Sequence, residues 1–162
     1  MPYTRAFGAY ELSTEKVRLD VDAIHAALSA SYWAAGRPRH VVEASIEGAL
    51  CFGVYHGGVQ VGFARAITDG ATFAYLADVY VAPDHQGRGV GNWLVASVLD
   101  HPRLQGLRRW LLATRDALRP PRFCPAPGAR ALHGDLPAPP ACAARLNAFA
   151  RGAYNRRILE GR

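Results

Sequence analysis

Apolar positions along the chain fall into short runs with two distinct periods. "VDAIHAALSASYW" follows Asp20, a plausible N-cap, and places Val21, Ile24, Leu28 and Trp33 near helical spacing. "GRP" at residues 36–38 breaks that pattern, and "RHVVEASIEGAL" predicts a second short helix with Val42, Ile46 and Ala49 on one face. "CFGVYHGGVQVGFARAIT" holds two β-rich runs around Gly57-Gly58, a hairpin signal. "TDGATFAYLADVYVAP" repeats the device: Asp69-Gly70 turns the chain into a third strand that ends at Pro83. "GNWLVASVLDHP" spaces Trp93, Leu94, Val98 and Leu99 as a helix that stops before Pro102, and "LRRWLLAT" reads as a last strand. Two helices, a three-strand antiparallel meander, a helix and a strand make an α+β domain without internal repeats.

Composition narrows the function classes. With 162 residues, half of them apolar, the chain suits one domain with a real core. No apolar run approaches the roughly 20 residues of a membrane helix, so no membrane partner is expected. "MPYTRAFGAYELSTEK" lacks a signal-peptide apolar segment, which points to the cytoplasm. Cys51, Cys124 and Cys142 form no zinc spacing, no metal is expected, and Cys51 reads as a buried thiol. The net charge of +6 lies outside the patterned body: residues 1–116 carry eleven basic and eleven acidic side chains, whereas residues 117–162 carry eight Arg against Asp135 and Glu160. Seven of the eleven prolines also fall in that tail. The body offers no basic face for phosphate backbones, so no nucleic-acid partner is expected.

"HQGRGVG" at residues 85–91 crowds three glycines between a strand and a helix. Glycine permits positive φ and close backbone approach, and uncommitted N–H groups at a helix start suit a phosphate; Arg88 could add a charged contact. A tight turn without any ligand is the competing reading. A Walker loop would need a lysine that is absent, and a GxGxxG pattern from Gly87 meets Asn92 where glycine is required.

What fits is Gln-x-x-Gly-x-Gly, met by Gln86, Gly89 and Gly91 after "LADVYVAP" and before "GNWLVASVL". With "SYWAAGRP", "LCFGVY", "VGFARAITD", "FAYLADVYV" and "LQGLRRWLLATRDA" in this order, the chain over about residues 8–117 resembles a bacterial branch of the GNAT superfamily of N-acetyltransferases. The resemblance implies a GNAT-like fold, a central, mostly antiparallel mixed sheet flanked by helices. It implies transfer of an acetyl group from acetyl-CoA, as cosubstrate, to an amine of a small molecule or peptide; a CoA-binding but catalytically impaired or truncated module is the alternative. Backbone contacts to the pantetheine arm would come from Val79, Tyr80 and Val81. The pyrophosphate would take N–H groups from Gln86, Gly87, Arg88, Gly89, Val90, Gly91 and Asn92. Asp78, at the strand end, is the candidate for proton handling, with Tyr80 as a possible hydrogen-bond donor; each also has an ordinary structural reading.

"SYWAAGRP" matches the family region over the acceptor pocket, so Tyr32, Trp33 and Arg37 are candidates for shaping it. As plain residues, Trp33 would be core and Arg37 exposed and free. The histidines show no ligand spacing, and His85 would be solvated. From Leu118 onward the family's pattern stops, including its last strands and the tyrosine that commonly protonates the leaving thiolate. The expected organisation is thus an acetyl-CoA-binding domain at 1–117 and a Pro/Arg-rich, disordered or loosely packed tail at 118–162. "ALHGDLP" admits codons that, read one base later, encode Arg-Tyr-Met-Glu-Ile-Tyr, so the tail reads as an out-of-frame family C-terminus. The oligomeric state is left open.

Overall fold

A computed structural model describes residues 2–112. The tail at 118–162, its composition break and the missing strands all lie outside the described residues. Strands β1 (Thr4–Phe7), β2 (Tyr10–Ser13), β3 (Leu50–His56), β4 (Val59–Thr68), β5 (Phe73–Val81) and β6 (Arg109–Leu112) form one sheet in sequence order. Neighbours from β1 to β5 are antiparallel, whereas β6 runs parallel to β5. The parallel step needs a crossover, supplied by helix α3 (Val90–Leu99). Helices α1 (Val21–Ser29) and α2 (Arg39–Glu47) precede β3.

The N-terminal hairpin β1–β2 is an addition to the sequence expectation. Its strands are four residues each, too short to show a period, and Gly8 at φ +58° makes the turn. The two anticipated turns form. Gly57 and Gly58 both take positive φ, +58° and +82°, the backbone that a two-residue hairpin matched to strand twist requires. The Asp69 turn is longer, because its carboxylate gathers the N–H groups of Ala71, Thr72 and Phe73 and the Thr72 hydroxyl. Those bonds hold the Asp69 carboxyl well below the usual carboxylate range.

Two cores sandwich the sheet. On one face α3 packs Val90, Leu94 and Val98 against Leu12, Phe52, Val54, Ala64 and Leu76. On the other, Ile24 and Leu28 of α1 and Val42 and Ile46 of α2 cover Cys51 and Phe63. Asp20 caps α1, accepting the Ala23 N–H at 2.9 Å. That helix stops at Ser29, short of Trp33, and the Ser31 hydroxyl donates to the Leu28 carbonyl beyond it.

Cys51 is buried, as its apolar neighbours predict, and burial pushes its thiol up to about 11. At pH 8 only about a thousandth of it would be thiolate, the reactive form. Iodoacetamide at pH 8 should therefore leave Cys51 unmodified in the native chain and label it after unfolding. Peptide mapping would check this, and native labelling at a free-thiol rate would contradict the packing.

Candidate active site

Strand β5 carries the candidate site in its second half, where its pairing with β4 is interrupted. It pairs with β6 from Phe73–Arg109 to Leu76–Leu112, the last of the described residues. On the other edge the register to β4 slips between Phe63 and Arg65, where β5 holds one extra residue. That bulge contains Asp78, whose φ of +52° is the one positive value outside glycine among the described residues. Aspartate is among the few side chains that tolerate this conformation.

Pairing beyond the bulge decides which backbone groups are available. Ala82 N–H donates to the Val61 carbonyl at 2.8 Å, so residues 61 and 82 form a hydrogen-bonded pair. By alternation Gly62–Val81 is a non-bonded pair and Phe63–Tyr80 a bonded one. The peptide groups of Tyr80 are therefore committed to β4, a correction to the expectation that Tyr80 offers backbone contacts. Those of Val79 and Val81 point away from β4. The Val81 carbonyl is already capped by the Gln86 side-chain amide at 2.7 Å.

The glycine loop follows the end of β5. Gly87 and Gly89 take φ of +72° and +83°, and Gly89 is the N-cap of α3 with no side-chain capping bond. The first helical bond runs from Trp93 N–H to Gly89 O, and the N–H groups of residues 87–92 bond nothing among the described residues. Gln86 differs from the expectation: its N–H already donates to the Pro83 carbonyl at 3.1 Å. With its side chain on Val81, Gln86 pins the loop to the strand instead. Among the described residues no atom lies within 4 Å of where a Cβ on Gly87 would sit, while one on Gly89 would meet the Phe7 ring at 3.6 Å. Six donors without a partner among the described residues, at a helix start, fit a pyrophosphate.

His85, expected to be solvated, is instead part-buried. Its Nδ1 lies 3.1 Å from the Tyr10 hydroxyl, and its ring centroid is 5.2 Å from that of His56. This aromatic cluster buttresses the loop from β2 and β3; Tyr10 is 75 residues away in sequence, so no local pattern announces it.

On the α1–α2 face, Asp78 gathers two arginines. Arg65 Nε donates to Oδ2 at 2.5 Å, and Arg37 Nη1 reaches Oδ2 at 3.2 Å and Oδ1 at 3.5 Å. Asp78 is therefore a buried ion-pair centre, not a strand-end group. Arg37, expected to be free, is paired, with its side chain 23% exposed. Its carbonyl lies 3.0 Å from His25 Nε2, which ties the α1–α2 loop to α1. Trp33, expected in the core, is instead 42% exposed beside Tyr32, with ring centroids 5.0 Å apart. Ala34 takes the buried place on that loop. Tyr80 is partly buried and lines a small opening with Ile24, Leu28 and Phe63. Arg65 was not anticipated: in sequence it is one polar position inside a strand, and its partner lies 13 residues on.

Comparison with known proteins places this geometry. The model of the acetyltransferase (GNAT) family matches residues 20–121. A Gibberella zeae protein provisionally named acetyltransferase FG08082 is 39% identical over 134 residues, covering 68% of this chain and 75% of its own length. A crystal structure from Xanthomonas campestris pv. campestris, described as a GNAT-family acetyltransferase by provisional assignment, is 48% identical with a TM-score of 0.67. It covers 69% of this chain and 80% of that one. A Deinococcus radiodurans structure at 17% identity and TM-score 0.54, covering 90% and 95% of the two chains, shares the fold alone.

Proposed function

Because this chain belongs to the acetyltransferase (GNAT) family, we propose that it acetylates an amine of a small molecule or peptide, with residues 77–92 holding acetyl-CoA. Family membership favours this N-acetyltransferase reading over that of an inert CoA-binding module. One observation carries the proposed site: β5 leads through a short turn into a loop whose N–H groups at residues 87–92 bond nothing among the described residues. The backbone of Val79 and the N–H of Val81, turned away from β4, suit the amides of a pantetheine arm. Gly87, Arg88, Gly89, Val90, Gly91 and Asn92 suit its pyrophosphate, with Gln86 keeping loop and strand in register.

Acetyl-CoA supplies the thioester carbonyl that the amine attacks; the C–N bond forms as the C–S bond breaks. The chain must hold that carbonyl beside the amine and provide a route for the amine's proton. Asp78 serves this reaction by position: occupied by two guanidiniums, it fixes the bulge of β5, and the departing proton passes to water. Tyr32, Trp33 and Arg37 shape the acceptor side from the α1–α2 loop. A cytoplasmic location suits this chemistry, since acetyl-CoA is an intracellular metabolite.

Acetyl-CoA titration followed by thermal unfolding, then thiol release with an amine panel, tests the reading. Protection together with turnover is expected. Protection without turnover would favour the inert module, and absence of protection would overturn the site.

A further inference from the structure

We propose that Arg37 and Arg65 form an anion-reading pocket on the acceptor side, so that the acceptor amine belongs to a molecule that also carries a carboxylate. This rests on the acetyltransferase reading above and narrows its acceptor to amino-acid-like compounds. Two guanidiniums meet one carboxylate: among the described residues Asp78 is the sole acidic partner of either arginine. The cluster therefore keeps one unbalanced positive charge. It is held where solvent is scarce, with side-chain exposures of 23% for Arg37, 12% for Arg65 and 3% for Asp78.

The hydrogen-bond inventory points the same way. A guanidinium has five N–H donors and no acceptor. Arg65 spends Nε on Asp78, and Arg37 spends Nη1. The terminal nitrogens of Arg65, and Nε and Nη2 of Arg37, bond nothing among the described residues. None of these nitrogens is among the fully buried atoms without a partner, so they keep some access to solvent, and paired N–H donors on a planar fork match a carboxylate.

Location and charge supply the selectivity. The cluster sits at the bulge of β5, and Arg37 belongs to the same α1–α2 loop as the exposed Tyr32 and Trp33. A simple amine arrives as an ammonium ion, which a net positive pocket repels. A zwitterion brings the compensating charge and leaves its amine end free to turn toward the thioester. The aromatic pair on that loop offers an apolar surface for its side chain.

Matched triplets provide the test: an aromatic amino acid, its primary amide and its decarboxylated amine. Binding in the presence of CoA would be followed by calorimetry, and kcat/KM by thiol release with acetyl-CoA. The free acid should be preferred by about tenfold or more, as a charge-assisted contact implies. Arg37→Gln should bring that preference near unity, chiefly through KM, and Arg37→Lys should retain part of it. Equal binding of acid, amide and amine by the native chain would overturn the proposal, as would an Arg37→Gln effect of equal proportion on all three. Should Arg37→Gln fail to fold, the native chain's preference across the triplet decides alone. Acetyl-CoA protection measured in the same samples separates the two readings. Its loss in the native chain sinks the acetyltransferase site, whereas intact protection without acid preference sinks only the anion pocket.

Discussion

Asp78→Asn is expected to destabilise the domain by about 3 kcal/mol, the lower end of the range for removing one partner of a buried ion pair. Asparagine preserves the shape of the side chain and also tolerates the left-handed backbone at φ +52°, so the substitution isolates the charge. It leaves Arg65 and Arg37 facing each other without a counter-ion in a site 3% exposed at its centre. Arg37 keeps some solvent, which is why the lower figure applies. For a chain of this size the melting temperature should fall by roughly 6–12 °C. Urea unfolding of both chains would measure it. A variant that melts like the native chain yet loses turnover would overturn the positioning role and restore Asp78 as a proton acceptor. A Glu replacement would retain the charge but suits the left-handed backbone less well, so a smaller loss is expected there.

The second large effect concerns the glycine loop. Acetyl-CoA at a hundred times its dissociation constant should stabilise the native chain by about 2.7 kcal/mol. Gly89→Glu should abolish that protection by placing bulk and negative charge where the pyrophosphate would sit. Because Gly89 has φ of +83°, glutamate there also strains the backbone, and the unliganded chain should melt lower as well. Gly91→Glu separates the two effects. Gly91 lies inside α3 without positive φ, and a Cβ on it would meet Val81 only at an ordinary 3.8 Å. Protection should vanish in Gly91→Glu while the unliganded melting temperature changes little. Equal protection of the native chain and both variants would remove the phosphate role from this loop.

Much of the fold was legible along the chain because its signals are local. Gly57-Gly58 admits few backbones other than a tight hairpin turn, and Ile24 with Leu28, or Val42 with Ile46, declares a helix face within one turn. The glycine loop belongs to the same class, since positive φ and an uncapped helix start are properties of a few neighbouring residues. The N-terminal hairpin escaped for the opposite reason. Four-residue strands carry too little period, and they gain their stability from pairing with β3 and packing on α3.

At the site, the sequence by itself determined the family, the strands from Leu50 to Val81 and the loop that the resemblance assigns to phosphate. Tertiary structure alone decided what the polar residues do there. Asp78 is joined to partners 13 and 41 residues away, and its left-handed bulge depends on the register of β4 against β5. That register also commits Tyr80 to β4 and turns Val79 outward, an outcome that alternation cannot predict until the bulge is placed. Trp33 and Arg37 exchanged their expected environments because α1 ends at Ser29, which hands the loop's buried place to Ala34 and brings Arg37 onto a carboxylate. Charge pairs across such separations have no period and no local propensity. They form only when packing has brought their elements together, so only the folded chain reveals them.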